Sequence, residues 1–432
     1  METIKTSVIR PVPAQDKFPL SLNLKKSLSH PCFNGCGGKN TRIHLPVAPS
    51  CNIQCNYCVR KYDCLNESRP GITSKILSPE EAVNRYLAAK KRLGNIDVAG
   101  IAGPGDALAE FEKTRETFLR LRETGDPVTF CLSTNGLALP LYAEELAGLG
   151  VSHVTVTVNA VDPAIGKRIY RYVEFQGKRL TGEAAAALLL ANQMEGIPLL
   201  TELGIVCKVN IVMIKGINDA HIPAVVEKVR ALGAGLTNIM QLIPVKGSLF
   251  EHIPLISHAE ITEMREKCGG ILPQMYHCRQ CRADAVGTLD DDISRTFEAD
   301  KNAAPPCYPE AKKHSGPPIR FAVSSKDGYL VNQHFGHARE LYIYEHQNGQ
   351  VNFIEKREVL RYCGDEKGCT DHEKLMLPIL QAIHDCSCVI AMRIGEIPRL
   401  MLAEKGVKVY MTYNYIVDAV REGARSFHTL ET

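Results

Sequence analysis

Short apolar runs alternate with longer amphipathic stretches from about residue 41 to residue 243. The apolar runs predict six strands, at 42–47, 96–101, 128–133, 153–158, 206–213 and 238–243. The stretches between them have the 3.6-residue period of helices, near 79–93, 109–124, 140–149, 181–194 and 222–233. Six such alternations predict an α/β fold with a parallel sheet, open or closed into a partial barrel. In these sheets the chemistry takes place at the C-terminal ends of the strands.

The same pattern divides the chain into segments. Residues 1–40 predict an irregular N-terminal arm, and the alternating pattern occupies residues 41–295. Residues 296–317 are rich in Pro, Ala, Lys and Glu, which is typical of a linker. After the linker the run IRFAVSS at 319–325 begins a new strand, so residues 318–432 predict a second, smaller α/β unit.

Composition and charge limit the class of protein. The 432-residue chain is 45% hydrophobic and 23% charged, the balance of a soluble globular protein with a substantial core. Its net charge is only +3 and its basic residues form no blocks, so neither nucleic acid nor a membrane is an expected partner. No run approaches the roughly 18–20 apolar residues of a membrane span, and the N-terminus lacks a secretion pattern. We therefore expect a cytoplasmic protein.

Sixteen cysteines in a reducing compartment point to metal ligation or catalysis. Three of them, Cys51, Cys55 and Cys58, have the spacing C-x3-C-x2-C. Three thiolates can hold three irons of a [4Fe–4S] cube and leave the fourth iron open to a ligand. The alternatives are a zinc site, which usually repeats C-x2-C pairs, and a ferredoxin, which supplies a fourth cysteine. The spacing therefore favours an open, reactive cluster.

Further cysteines and one histidine are candidate metal ligands. Cys278 and Cys281 form a C-x2-C pair that can clamp a metal or one edge of a cluster, with a zinc pair as the alternative. Cys131 lies in a predicted strand, where a lone cysteine is also a common buried residue. Cys64 follows the triplet closely enough to face the same barrel mouth. The whole candidate set is His30, Cys32, Cys36, Cys64, Cys131, Cys278 and Cys281, whereas Cys207 and Cys268 fit core positions.

The triplet, with Tyr57 before its last cysteine, resembles the signature of the radical S-adenosylmethionine (SAM) superfamily. The resemblance implies a partial (β/α)6 TIM-like barrel in which the open iron binds SAM, whose reductive cleavage yields methionine and a 5′-deoxyadenosyl radical. The turn 102–106 (AGPGD) stands where that superfamily has a Gly-Gly-Glu motif for the SAM amine. A plain turn and strand-end capping are the alternative roles for the candidate SAM contacts, which are Gly103, Asp106, Ser133, Asn135 and Asn159.

A wider set of motifs is similar to the NifB family, the radical SAM maturases of the nitrogenase iron–molybdenum cofactor. The similarity covers roughly residues 28–290. Its motifs are His30-Pro31-Cys32, RIHLPVAP at 42–49, the triplet, NESRPG at 66–71, the turn 102–106 and the Cys278–Cys281 pair.

The NifB resemblance implies three [4Fe–4S] clusters, one that binds SAM and two auxiliary clusters that are substrates. One SAM would donate its methyl group to a cluster sulfide, and a second would supply the radical that abstracts a hydrogen from that methyl, a lyase-type use of SAM. Fusion around the resulting carbide, with one added sulfur, would give the eight-iron cofactor precursor. Glu67 and Arg69 would be a proton acceptor and its electrostatic partner, with an ordinary surface ion pair as the alternative. The implied auxiliary ligands are His30, Cys32, Cys64, Cys131, Cys278 and Cys281, fewer than two closed cubes require.

One departure from the family pattern lies in the arm. Between Cys32 and Arg42 the chain reads FNGCGGKNT, where the resemblance implies a longer acidic and His-bearing stretch. Cys36 is therefore an extra thiol that competes with His30 or Cys32 as a ligand.

The C-terminal unit resembles the small cofactor-carrier domain of nitrogenase accessory proteins, the NifX/NafY-like domain. This resemblance implies a ribonuclease H-like α/β fold and a role in docking or carrying the product, with His334 and Cys363 as possible cluster contacts. The implied partners are an iron–sulfur cluster donor scaffold, ferredoxin or flavodoxin as electron donor, and nitrogenase cofactor carrier and assembly proteins. Two other functions stay open: a radical SAM peptide-modifying enzyme with auxiliary clusters, and a non-enzymatic iron–sulfur scaffold.

Overall fold

A computed structural model of the chain describes residues 30–33, 40–66, 73, 75–278, 280–289, 291–297, 318–362 and 372–428. Most of the expected arm and linker lies outside these residues, and so do Glu67, Arg69, Cys36 and Cys363. The predictions made for them stay predictions.

The described residues of the N-terminal unit form ten strands. In chain order they are β1 (Arg42–His44), β2 (Ile53–Cys55), β3 (Val98–Ile101), β4 (Thr129–Thr134), β5 (Val151–Thr157), β6 (Tyr170–Phe175), β7 (Lys178–Thr181), β8 (Val206–Met213), β9 (Leu236–Gln241) and β10 (Val286–Gly287). Seven of these strands form one sheet in the order β10-β1-β3-β4-β5-β8-β9. All pairings are parallel except that of β10 with β1. The six predicted parallel strands and the predicted partial (β/α)6 class are thereby confirmed.

Helices follow the parallel strands and cover the sheet. They are α1 (Pro79–Leu93), α2 (Phe111–Glu123), α3 (Leu139–Gly148), α4 (Pro163–Ile169), α5 (Gly182–Glu202), α6 (Ile222–Ala231) and α7 (His258–Gly269). Helix α1 begins with a capping box, in which Ser78 and Glu81 each accept a hydrogen bond from the other's backbone N–H. The core lies between the helices and the sheet, and all eight residues of β8 are buried.

A small antiparallel sheet, β2-β6-β7, was not predicted from the sequence. Its hairpin turns at Gln176 and Gly177, both with positive φ, a geometry that suits a two-residue hairpin. Strand β2 pairs with β6 at Ile53 and Val173, which fixes the middle of the cysteine triplet against the hairpin.

The C-terminal unit has its own five-stranded sheet. Its strands are β11 (Ile319–Val323), β12 (Glu340–Gln347), β13 (Gln350–Glu358), β14 (Cys388–Ala391) and β15 (Lys408–Met411), and its helices are α8 (His372–Ala382), α9 (Glu396–Glu404) and α10 (Ile416–His428). The strand order is β13-β12-β11-β14-β15, in which β12 runs antiparallel to both of its neighbours, β11 and β13, and the pairings β11–β14 and β14–β15 are parallel. This arrangement agrees with the expected ribonuclease H-like unit.

The two units contact each other beside the C-terminal end of β9. Arg393 donates hydrogen bonds to Gln241 and to the carbonyl of Ile256. Tyr62, in the loop after the triplet, packs against Tyr413 and Tyr415. No helix among the described residues is both long and apolar enough to span a bilayer.

Candidate metal centre

The three cysteines of the triplet lie on the loop around β2. Cys51 precedes the strand, Cys55 ends it, and the backbone N–H of Cys58 donates to the carbonyl of Cys55 at 3.1 Å. These cysteines line one cavity, called here the first cavity. Its wall consists of Cys51, Ile53, Cys55, Tyr57, Cys58, Arg60, Cys64, Leu65, Asn66, Asp106 and Asn135.

Side-chain amides approach two of the triplet sulfurs. Asn135 Nδ2 lies 3.7 Å from Cys51 Sγ, and Asn66 Nδ2 lies 3.8 Å from Cys55 Sγ. Burial raises the pKa of Cys51 to about 11 and also raises that of Cys55. Both thiols are therefore protonated at neutral pH without metal, and cluster binding must release their protons.

Tyr57 is fixed by buried polar partners. Its hydroxyl donates to Asn66 Oδ1 and accepts from Asn159 Nδ2 at 2.7 Å. Asn159 Oδ1 in turn accepts from the backbone N–H of Val212 at 2.8 Å. Asn159 thus positions Tyr57 beside the triplet, and its contact with SAM stays a prediction.

The turn 102–106 connects the end of β3 to the loop that carries Cys51. Gly105 N donates to Ala48 O and Asp106 N donates to Ser50 O, both at 2.7 Å. The Asp106 carboxylate is 3% exposed and accepts from the backbone of Asn135 at 2.6 Å and of Leu108 at 2.9 Å. Asp106 therefore ties three loops together at the wall of the first cavity. The proposed contacts of Gly103 and Asp106 with SAM stay predictions.

Five of the predicted auxiliary ligands line a second cavity. They come from the arm, from β4 and from the segment after α7, and they are His30, Cys32, Cys131, Cys278 and Cys281. Ser133, predicted to meet SAM, also lines this second cavity, whereas Cys64 lines the first cavity beside the triplet.

The two ring nitrogens of His30 differ in their hydrogen bonding within the described residues. Its Nδ1 accepts from the backbone N–H of Cys32 at 3.1 Å, and within the described residues its buried Nε2 has no hydrogen-bond partner. Burial, with His153 and Lys208 nearby, holds the pKa of His30 well below its usual range. The imidazole is therefore neutral at pH 7. Because Nδ1 accepts a hydrogen bond, the proton of the neutral ring lies on Nε2, and ligation of iron through Nε2 requires that proton to leave or to move to Nδ1.

Three polar residues of the second cavity were not predicted. Arg42 Nη2 donates to Cys281 Sγ at 3.1 Å, and Asn238 Nδ2 donates to Cys278 Sγ at 3.4 Å. The third, Lys208, is 6% exposed in the middle of β8. The sequence did contain a signal for Lys208, because it is a charged residue inside an otherwise apolar strand. Such residues are rarely buried without a functional or ionic partner.

The remaining cysteines of the described chain are structural. Cys207 and Cys268 lie in the core of the barrel, as predicted. Cys386 and Cys388 lie in the two cores of the C-terminal unit. His334 caps a short 3₁₀ helix, its Nδ1 accepting from Gly336 N at 3.0 Å.

The donor sets of both cavities fit iron–sulfur clusters. Four thiols line each cavity, N–H groups approach four of the sulfurs, and the imidazole of His30 lies in the wall of the second cavity. The described residues contain no three His, Cys, Asp or Glu side chains already arranged around a single metal ion.

Comparison with known families matches both units of the chain. Residues 45–229 match the model of the radical SAM superfamily. Residues 317–426 match the family described as dinitrogenase iron-molybdenum cofactor.

Relatives of the whole chain share one description, FeMo cofactor biosynthesis protein NifB. The protein of Sinorhizobium fredii is 37% identical over 446 residues, covering 95% of this chain and 89% of its own. That of Chlorobaculum tepidum is 41% identical over 406 residues, covering 93% and 92%. Among solved structures, Streptococcus suis SuiB bound to S-adenosylmethionine is 15% identical with a TM-score of 0.39, covering 54% of this chain and 50% of its own.

Proposed function

Because the chain belongs to the NifB family of FeMo cofactor biosynthesis proteins, we propose that it fuses two [4Fe–4S] substrate clusters into the eight-iron precursor of that cofactor. The product contains a carbide derived from SAM and one added sulfur. The chain transfers a methyl group from one SAM to a cluster sulfide and uses a second SAM to abstract a hydrogen from it. This is lyase-type radical chemistry.

The observation that carries this proposal is the division of the ligands between two cavities. Cys51, Cys55 and Cys58 line one, and five further ligands line the other. A peptide-modifying enzyme or an electron carrier has no need for a second, incompletely ligated cavity that contains a histidine. A substrate cluster that must be rebuilt and released does need exchangeable ligands.

The residues of the first cavity hold and orient the SAM cluster. When bound, that cluster supplies the electron that cleaves SAM. Cys51, Cys55 and Cys58 ligate it, while Asn135 and Asn66 direct N–H groups toward the sulfurs. Gly103, Asp106, Ser133, Asn135 and Asn159 are the proposed SAM contacts.

The residues of the second cavity hold the two auxiliary clusters, which makes three clusters in all. His30, Cys32, Cys131, Cys278 and Cys281 are their proposed ligands. Cys64 completes the set from the wall of the first cavity. Glu67 and Arg69 follow Asn66, which lines the first cavity, and we assign them the roles of proton acceptor and electrostatic partner.

The partners follow from this chemistry. A scaffold protein supplies the substrate clusters, and ferredoxin or flavodoxin supplies electrons in the cytoplasm. The C-terminal unit docks or carries the product toward the nitrogenase cofactor carrier and assembly proteins. Its match to the iron-molybdenum cofactor family supports this role.

The proposal is tested by iron content and electron paramagnetic resonance of anaerobically reconstituted protein. We expect about twelve irons per chain, as three cubes require, and one signal that shifts on addition of SAM. Cys51→Ala should abolish SAM cleavage, whereas Cys278→Ala should keep part of it and lose the fused cluster. Cys268→Ala, in the core, is the matched control.

Two results would refute cluster fusion. About four irons per chain would leave a single-cluster enzyme, and twelve irons without SAM cleavage would leave a scaffold. Fused product from Cys278→Ala would remove the assigned role of the second cavity.

A further inference from the structure

Lys208 is a buried cation without a carboxylate partner. It lies in the middle of β8, is 6% exposed, and lines the second cavity. Its Nζ lies 5.0 Å from the ring centre of Phe33, the residue after Cys32. Across the described ranges of the chain the Lys208 ammonium group has no ion-pair or hydrogen-bond partner, and the residue's hydrogen bonds are those of its backbone. A buried ammonium group normally has an anionic partner, because its desolvation is expensive.

A second fixed cation lies at the edge of the second cavity, bonded to Cys281 of the cavity wall. Arg42 is 2% exposed, and its guanidinium bonds both to Cys281 Sγ, at 3.1 Å, and to the carbonyl of Gly287, at 2.9 Å. Of the described residues that line the cavity, none is Asp or Glu. The cavity therefore combines two positive charges with thiols that become anionic when they ligate a metal.

We infer that Lys208 binds the substrate clusters of the second cavity through their sulfides and, together with Arg42, supplies the positive charge that lets two anionic cubes occupy adjacent positions. This inference rests on the proposed function. Two thiolate-ligated clusters repel each other, and the repulsion is strong in a cavity that excludes water. The positive charge of Lys208 lies close enough to act on the thiols of Cys32, Cys131 and Cys207 and on the imidazole of His30.

The contact with Phe33 is the competing explanation, since Lys208 could serve only to anchor the arm. The two roles make different predictions. An anchor acts through the ammonium group on the ring of Phe33, so Phe33→Leu should have the same effect as removal of the charge. If Lys208 instead binds the clusters, Phe33→Leu should leave the potential of the auxiliary signal unchanged. A role in binding the clusters depends on the positive charge of the side chain, which arginine keeps and methionine lacks.

The test compares Lys208→Met, Lys208→Gln and Lys208→Arg in the reconstituted full chain. The control is Lys215→Met, which removes an exposed lysine paired with Glu260 at 2.5 Å. Iron content and redox titration followed by electron paramagnetic resonance are measured without SAM turnover. For the two neutral variants we expect the midpoint potential of the auxiliary signal to shift to more negative values, because the reduced cluster loses a stabilising cation. A larger effect of the same kind would be the loss of one whole cluster, which would lower the iron content by about a third.

The SAM cluster signal should be unchanged in all variants, and Lys208→Arg should keep the wild-type potential and iron. Wild-type iron and potential in Lys208→Gln or Lys208→Met would overturn the inference. If Lys208→Met also loses the SAM cluster signal, it has misfolded, and the milder Lys208→Gln decides. Failure of the proposed function looks different, because the wild-type protein itself would then contain only about four irons.

Discussion

At the scale of single residues, the position of Cys51 depends on a close backbone approach. A Cβ atom on Gly105 would lie 2.1 Å from the carbonyl oxygen of Ser50 and 2.6 Å from that of Pro49. The Gly105 and Asp106 amides bond to the same segment. Gly105 therefore lets the turn after β3 hold the loop of the triplet, a role different from the approach to SAM that the sequence suggested.

Gly105→Ala should displace this loop and impair the first cavity. Because the clash is with backbone atoms, neighbouring side chains cannot relieve it, and we expect SAM cleavage to fall at least about tenfold with loss of the SAM-dependent signal shift. Gly148→Ala is the control, since a Cβ there meets no atom within 4 Å. Normal SAM cleavage in Gly105→Ala would show that the loop adjusts without cost.

The cysteines that line the two cavities were predictable from the sequence as a group, whereas the polar residues around them were mostly not. The triplet and the Cys278 pair are revealed by spacing alone, because several ligands of one cluster come from one short segment. Arg42 and Cys281 are far apart in the chain and meet only because β10 pairs with β1. No local pattern contains that information.

At the scale of elements, the parallel strands and their helices were predictable because burial on both faces leaves a strong apolar signal. The hairpin β6–β7 was missed because its residues are largely exposed or half-buried. Helix α5 extends past the predicted end at residue 194, through Gly196 and Pro198. Gly196 packs against Leu139 of α3, where a Cβ would lie 2.4 Å from the leucine Cβ, so tertiary packing overrides the helix-breaking signal.

A prediction at this scale concerns the ion cluster that ties β11 and β13 to the turn before β14. Asp385 accepts from Arg357 Nη2 at 2.9 Å and from Arg320 Nη1 at 2.6 Å. These hydrogen bonds, from Arg357 above all, hold the pKa of Asp385 well below its usual range. The stabilisation is complete above the carboxyl's unfolded pKa of about 4 and is lost as the pH falls through the folded value.

Asp385→Asn should therefore destabilise the C-terminal unit at pH 7 by about 1–2 kcal/mol after allowance for solvent screening, and by less near pH 3. Urea unfolding of the full chain, followed by deuterium pulse labelling of peptides from β12 and β13, measures this locally. Asp418→Asn is the control, because its contact with Arg421 is 4.0 Å long. An equal loss at both pH values would mean that packing, not charge, explains the effect.

At the scale of the whole molecule, each unit was predictable from its own segment, but their contact was not. The contact combines the loop after β9, the loop after the triplet and two loops of the C-terminal sheet. A cavity of about 450 Å³ lies between the units and is lined by residues of both, among them Lys246, His252 and Met392. The C-terminal unit thereby lies beside the C-terminal end of β9, a position that the proposed transfer of product requires.

Arg393 is the residue on which this contact most depends, since its guanidinium bonds to Gln241 and to Ile256 across the interface. Removing this charged donor from its two acceptors should weaken the contact between the units by about 2 kcal/mol. The population of molecules in which the two units are separated would then increase about thirtyfold. In Arg393→Ala we therefore expect faster hydrogen exchange in residues 241–256 and 410–415, and in the loop of Tyr62. Arg399→Ala, an exposed arginine of α9, should leave exchange unchanged. If Arg393→Ala exchanges like the wild type, other contacts hold the units together, and delivery of the product cannot depend on this arginine.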